Sequence, residues 1–149
     1  MLTNKGKYGL KALAHLASLP PGETAQSQEI AEANQIPKKF LDAILGELRV
    51  AGIVRSKKGK GGGYMLARDP NQITVGNAIR VLDGPLAPIA CASRTAYQPC
   101  HDCVDIPTCT VRLLMLKVRD VSANLLDNTS VEEMRLSARN GDLEASYSI

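Results

Sequence analysis

Residues 53–67, Ile53-Val54-Arg55-Ser56-Lys57-Lys58-Gly59-Lys60-Gly61-Gly62-Gly63-Tyr64-Met65-Leu66-Ala67, read as two short strands joined by a basic, glycine-rich tip. Residues 53–56 form the outgoing strand and residues 63–67 its return partner. Glycines in such a tip permit positive φ angles and a close backbone approach to a ligand. Lys57, Lys58 and Lys60 supply charge that can reach phosphates or a narrow minor groove. The same glycines invite comparison with a nucleotide-phosphate loop. The pattern G-x-x-x-x-G-K-[ST] is missing, however, and no helix starts directly after them, which excludes that reading.

The residues before the hairpin predict three helices. The first covers about residues 5–18, with Leu10, Leu13, Ala14 and Ala17 on one face, and ends at Pro20-Pro21-Gly22. A short helix over about residues 28–33 follows, with Ser27 placed to cap it and Glu29 in its first turn. Asn34-Gln35-Ile36-Pro37 makes a tight connection into a third helix, whose first position suits Pro37. Phe40, Leu41, Ile44, Leu45 and Leu48 form its apolar face, and Lys38, Lys39, Asp42, Ala43 and Arg49 face away. Gly52 ends it. A short helix, a tight turn and an amphipathic helix with a basic start outline a helix-turn-helix, although a plain packed helical hairpin has the same pattern. The basic β-hairpin that follows turns this outline into a winged helix.

Downstream, Thr74 caps a helix through about residue 82, stopped by Asp83-Gly84-Pro85. All four cysteines then fall in one stretch: Cys91, Cys100, Cys103 and Cys109, separated by eight, two and five residues. Pro99, His101, Asp102, Asp105 and Pro107 between them suit a polar loop. A long helix over about residues 110–126 follows, with Val111, Leu114, Met115, Val118, Ser122 and Leu125 in one stripe and Leu113, Leu116 and Ala123 largely off it. A helix apolar on more than one side needs two partners, its own domain and a second subunit. Ser130 and Glu133 match a capping box that starts a last short helix. The polar tail from Asn140 is expected to fray.

Composition agrees with a helical protein. In 149 residues there is no Trp and one Phe, so the core must be aliphatic. Charge is unevenly divided: residues 1–68 carry eleven Lys and Arg against five Asp and Glu, and residues 69–149 carry seven against ten. The basic front half suits a polyanion, and its sign suggests nucleic acid. The apolar run from Leu10 to Leu19 is broken by Lys11 and His15, and no stretch approaches the roughly 20 residues a membrane span needs. The expectation is a cytoplasmic protein with no signal peptide.

In a reducing compartment a cysteine cluster points to metal binding or redox chemistry rather than a disulfide framework. Thiolates on one loop bind iron–sulfur clusters or zinc, or exchange disulfides. Zinc sites commonly use two C-x₂-C pairs, and only Cys100-x-x-Cys103 is present. A dithiol oxidoreductase would place that motif at a helix N-terminus in a βαβ setting, which the sequence does not show. No Ser/His/Asp or paired-carboxylate constellation appears, so an enzyme is not expected. His15 reads as a packed or solvent-edge histidine, and His101 as a loop histidine.

Taken together, the chain resembles the IscR/NsrR-type (Rrf-two) family of bacterial winged-helix transcription regulators. The residues that carry the resemblance are Leu2-Thr3-Asn4-Lys5-Gly6-Lys7-Tyr8, Gly61-Gly62-Gly63-Tyr64-Met65-Leu66, Ile73-Thr74-Val75-Gly76 and the cysteine loop entering a long helix, over roughly residues 1–135. The expected fold is mainly α with a small β-hairpin wing: a winged helix-turn-helix plus a long dimerisation helix. The expected divisions are a DNA-binding domain (1–83), a cysteine-rich sensor loop (84–109), the dimerisation helix with a short C-terminal helix (110–138) and a flexible tail (139–149).

The resemblance implies a homodimer on a pseudo-palindromic operator in double-stranded DNA, its recognition helices entering major grooves about 34 Å apart. Lys38, Lys39, Phe40 and Asp42 would face bases or adjacent phosphates, Asp42 accepting from a cytosine amino group. Lys57, Lys58 and Lys60 on the wing, with Thr3, Lys5 and Lys7 at the first helix, would hold the backbone. Relatives with cysteines in this loop hold an iron–sulfur cluster that reports iron, oxygen, nitric oxide or redox state. Cys91 and Cys109 match the outer ligand positions, with Cys100 or Cys103 between them. Some relatives add a histidine three residues after the last cysteine, where this chain has Arg112, and others recruit a residue from the partner's first helix, where it has Tyr8. The fourth ligand stays open among the extra cysteine, His101, Asp102 and Asp105, as does the choice between [2Fe–2S] and [4Fe–4S]. Control by thiol–disulfide chemistry or a protein partner, without a cluster, is the alternative.

Overall fold

The computed structural model describes residues 2–138. The expectation for the tail from residue 139 lies outside the described residues. The elements in order are α1 (Asn4–Ala17), α2 (Ser27–Asn34), α3 (Lys38–Val50), β1 (Val54–Lys57), β2 (Gly63–Leu66), α4 (Val75–Asp83), α5 (Thr110–Asp127) and α6 (Val131–Ser137). Single 3₁₀ turns occupy Pro70–Gln72 and Ala90–Ala92. The expected class, mainly helical with a two-stranded antiparallel hairpin, is the one observed.

Local chemistry accounts for most boundaries. Thr3 caps α1, its Oγ1 accepting from the Gly6 amide at 3.3 Å. Thr74 and Ser130 cap α4 and α6 in the same way, accepting from the amides of Asn77 at 3.1 Å and Glu133 at 3.0 Å. Ser27 does not cap α2 as its position suggests. Residues before it are drawn into extended pairing, with the Ala25 amide donating to the Tyr64 carbonyl at 3.0 Å and the Tyr64 amide returning to Ala25 at 2.8 Å. That pairing carries the backbone through Gln26 in extended geometry, and Ser27 becomes the first helical residue.

The turn into α3 is built by Gln35 in left-handed geometry (φ 54°, ψ 47°) and by the Ile36 amide donating to the Ala31 carbonyl at 2.9 Å. Ile36 is thereby buried, and α3 lays Leu41, Ile44, Leu45 and Leu48 on the core. Phe40 was expected on that face and is not on it. It stays 45% exposed and meets the Tyr8 ring edge-on, centroids 5.8 Å apart.

The hairpin pairs Val54 with Leu66 and Lys57 with Gly63. Gly63 must be glycine: its φ is +150°, and a Cβ there would lie 2.6 Å from the Ala25 carbonyl oxygen. The core is aliphatic, as composition requires. Leu13, Ile30, Leu41, Ile44, Leu45, Leu48, Ile53 and Ile73 are fully buried with Val54 and Val131. Each such side chain contributes roughly 1.5–3 kcal/mol on leaving water. Val131 belongs to α6, so the last helix returns to the winged-helix core, its amide donating to the Ile73 carbonyl at 2.8 Å.

α1 and α4 touch closely because Gly9 leaves room for the Leu82 side chain. α5 behaves differently. It leans on α4 and on the Ala90–Ala92 turn, and Ala123 is its one buried residue. No helix among the described residues is long and apolar enough to cross a membrane.

Candidate nucleic-acid interface and cysteine loop

The helix-turn-helix presents the start of α3 to solvent. Lys39 is exposed there, with no ion-pair partner among the described residues. Lys38 and Asp42, one turn apart, form an ion pair at 3.0 Å with both side chains about half exposed. Asp42 is thus already engaged, and any group that uses it would have to compete with Lys38. Lys5 is engaged too, donating to Glu47 on α3 at 2.8 Å. Lys7 lies against the Tyr8 ring, 5.5 Å from its centroid. Thr3, exposed, is engaged as well, its amide and hydroxyl donating to the Asp83 carboxylate at 2.9 and 2.5 Å.

On the wing, Lys57, Lys58 and Lys60 are all exposed. The tip is tethered by Thr24, whose Oγ1 donates to the Gly61 carbonyl at 2.8 Å. Arg55, exposed between Val54 and Ser56, adds a cation to the same strand. The sequence reading left it out, although strand alternation beside buried Val54 would have found it.

The cysteine loop docks on the N-terminal end of α5. Cys91 is buried in the Ala90–Ala92 turn. Cys109 is the N-cap of α5, its Sγ accepting from the Arg112 amide at 3.5 Å. All four thiols are free. The neighbouring Cys91 thiol is the largest influence pushing the Cys100 thiol up, with burial, Asp102 and Cys103 adding to it. Partial burial pushes the Cys103 thiol up, reinforced by Cys109 and, more weakly, Cys91. The loop thus brings Cys100 near Cys91 and Cys103 near Cys109. Among the described residues, no three His, Cys, Asp or Glu side chains already converge as a metal cage. His101, Asp102 and Asp105 are exposed, and Asp105 accepts from the Thr108 hydroxyl at 2.7 Å.

Four arginines to which the sequence assigns no role fix this arrangement. Arg94 from the loop forks onto Asp120 of α5 at 2.8 and 2.6 Å. Hydrogen bonds from Arg94 and then Arg119 hold the Asp120 carboxyl far below the usual carboxylate range. Arg80 of α4 forks onto Asp127 of α5 at 2.5 and 2.8 Å. Arg112 donates from Nε to the Cys91 carbonyl at 3.0 Å and lies over the Tyr97 ring, 5.9 Å from its centroid.

Opposite the loop, α5 exposes Val111, Leu114, Val118, Val121 and Leu125, between 39% and 72% accessible. Their spacing alternates three and four, the period of a coiled-coil seam. The stripe read from sequence differs: Val121 belongs to the exposed seam, whereas Met115 and Ser122, half-buried, do not stand among its exposed positions.

Comparison with known proteins agrees with this geometry. Residues 2–135 match the family model described as Rrf2, iron-dependent transcriptional regulator. A Rhodobacter capsulatus protein described as an rrf2-like regulator of the HTH type is 42% identical over 137 residues, covering 90% of this chain and 91% of the relative. Among solved structures, that of CymR, the global cysteine regulator of B. subtilis, is similar with a TM-score of 0.75 and 32% identity, covering 91% of this chain and 95% of that one. T. potens IscR is similar with a TM-score of 0.73 and 28% identity, covering 93% and 88%.

Proposed function

The chain belongs to the Rrf2 family of transcriptional regulators, and we propose that it binds a pseudo-palindromic operator as a homodimer under the control of an iron–sulfur cluster held by its cysteine loop. One observation carries the reading. Four free thiols are gathered on the end of the helix that bears an exposed coiled-coil seam, and that helix is forked to the winged-helix domain through Arg80 and Asp127. Anything that changes the loop therefore acts on α5 and, through α5, on the spacing of two DNA-binding domains.

The donor set suits the cluster. Cys91 is shielded from water, Cys109 is the N-cap of α5, and Cys100 and Cys103 lie near them. Cys91, Cys103 and Cys109 with Cys100 would supply thiolates from one chain. A bound cluster would supply an electron-accepting, oxidant-sensitive centre. The protein's part is to hold the outer cysteines at fixed separation, using the Arg94 fork to pin the loop to α5. Because the Cys100 and Cys103 thiols are pushed up, they hold their protons in the metal-free protein, and ligation releases them.

On the DNA side, Lys39 with Lys38, Phe40 and Asp42 would enter the major groove, and Lys57, Lys58 and Lys60 would track the adjacent backbone with Thr3, Lys5 and Lys7. Intramolecular partners of Lys5, Thr3 and Asp42 make these three subordinate to Lys39 and the wing lysines.

A second reading rests on the neighbouring thiols. Closing Cys91 with Cys100, or Cys103 with Cys109, as a disulfide would give two electrons and two protons to a peroxide.

Affinity selection from a randomised duplex pool, with anaerobically reconstituted and chelator-stripped protein, tests the function. The expected result is a pseudo-palindrome with half-sites one helical turn apart and an affinity at least tenfold different between the two forms. Equal affinity of both forms, with peroxide altering the stripped protein, would transfer control to the thiol pairs.

A further inference from the structure

Five arginines lie between residues 69 and 138, and four of them, Arg80, Arg94, Arg119 and Arg135, are ion-paired with carboxylates. Arg112 is the exception among the described residues. Its contacts are to two cysteines and a tyrosine: the Cys91 carbonyl at 3.0 Å through Nε, the Cys109 sulfur at 3.5 Å through the backbone amide, and the Tyr97 ring face. One residue therefore touches the first and the last cysteine of the loop, which stand eighteen positions apart in sequence.

Its place on the helix is also informative. Arg112 lies in the first turn of α5, where the helix dipole is unfavourable to a cation, and no acidic residue stands in that turn. A guanidinium cannot shed its charge. The terminal nitrogens have no hydrogen-bond acceptor among the described residues and remain free to face an anion. A cation kept at a positive helix end without a carboxylate marks that end as a place where negative charge collects. The four cysteines, deprotonated on ligation, are the groups at hand to provide it.

Building on the cluster reading above, we propose that Arg112 is a positioning residue for the cluster. Nε holds the Cys91 turn against α5 and so fixes the separation of the outer ligands. The charge offsets the excess negative charge of a thiolate-ligated cluster, making its reduction easier. Tyr97 adds a cation–π contact that helps hold the guanidinium in place.

The test compares wild type, Arg112→Lys and Arg112→Gln after anaerobic reconstitution, by redox titration and by electron paramagnetic resonance of the reduced state. Arg112→Gln is expected to shift the reduction potential to a more negative value and to change the resonance. Arg112→Lys, which keeps the charge and loses the planar fork, is expected to fall between. Superimposable potentials and spectra in all three proteins would overturn the proposal. The metal-free reduced proteins give a second reading, independent of the cluster. Iodoacetamide is expected to modify Cys91 several-fold faster in Arg112→Gln than in wild type, because the segment that buries it is released. Equal rates would overturn the clamp. Failure of wild type itself to take up iron and sulfide would defeat the cluster reading, and the alkylation rates would still decide the clamp. Should Arg112→Gln not fold, Arg112→Lys reads the same quantities.

Discussion

Arg80 on α4 and Asp127 at the end of α5 face each other as a two-bond fork, with distances of 2.5 and 2.8 Å. Hydrogen bonding from Arg80 is the main reason the Asp127 carboxyl ionises below the usual carboxylate range. Gly76 on α4 makes the approach possible, since a Cβ there would collide with the Asp127 carboxylate. The fork is the polar link between the helix that carries the cysteine loop and the domain that carries the wing.

Asp127→Asn is expected to lower stability at neutral pH by about 1 kcal/mol, since both side chains are about a third exposed and water screens the pair. The pKa of Asp127 is lower folded than unfolded. Its stabilisation is therefore present above the ordinary value of about 3.9 and is lost as pH falls through the folded value. Thermal melts of wild type and Asp127→Asn should differ at pH 7 and converge at strongly acidic pH. A difference that persists unchanged in acid would contradict the ionic role.

Lys39→Ala is expected to weaken operator binding while leaving the melting temperature in place. As a phosphate contact it should also reduce the slope of log affinity against log salt by about 1. A salt titration by fluorescence anisotropy reads both. Replacing Lys5, which Glu47 already holds, is expected to change the slope less and the stability more.

Gly63→Ala tests the wing. The backbone there is left-handed, and the added Cβ would press on the Ala25 carbonyl, which cannot rotate away. The expected cost is about 1–3 kcal/mol, together with loss of DNA affinity. Unchanged melting and affinity would show that the wing tolerates displacement.

Val121→Glu places a charge in the exposed seam of α5. Loss of the dimer in sedimentation at micromolar concentration, with secondary structure retained, is the expected outcome. A dimer that survives would place the subunit contact elsewhere.

Much of the fold was legible because its signals are local. Thr74 and Ser130 announce their helices by hydroxyls three residues before an amide, and the Gly-rich tip announces the hairpin. What was missed is non-local. Ser27 loses its cap to pairing between Ala25 and Tyr64, residues distant in sequence. Phe40 leaves its apolar face for the ring of Tyr8 on another helix. On α5, apolar residues on two sides blurred the phase, and only packing separates Val121 in the seam from buried Ala123. The cysteines could be found by spacing alone. Which of them come near one another, and the reach of Arg112 across to Cys91, depend on how the loop folds back on the helix.

The most direct test is the visible absorption spectrum, with iron and acid-labile sulfide determinations, of protein purified without oxygen. A coloured protein with matched iron and sulfide, lost in Cys91→Ala and Cys109→Ala, is the predicted result. A colourless wild-type protein that takes up neither iron nor sulfide on anaerobic reconstitution would contradict it.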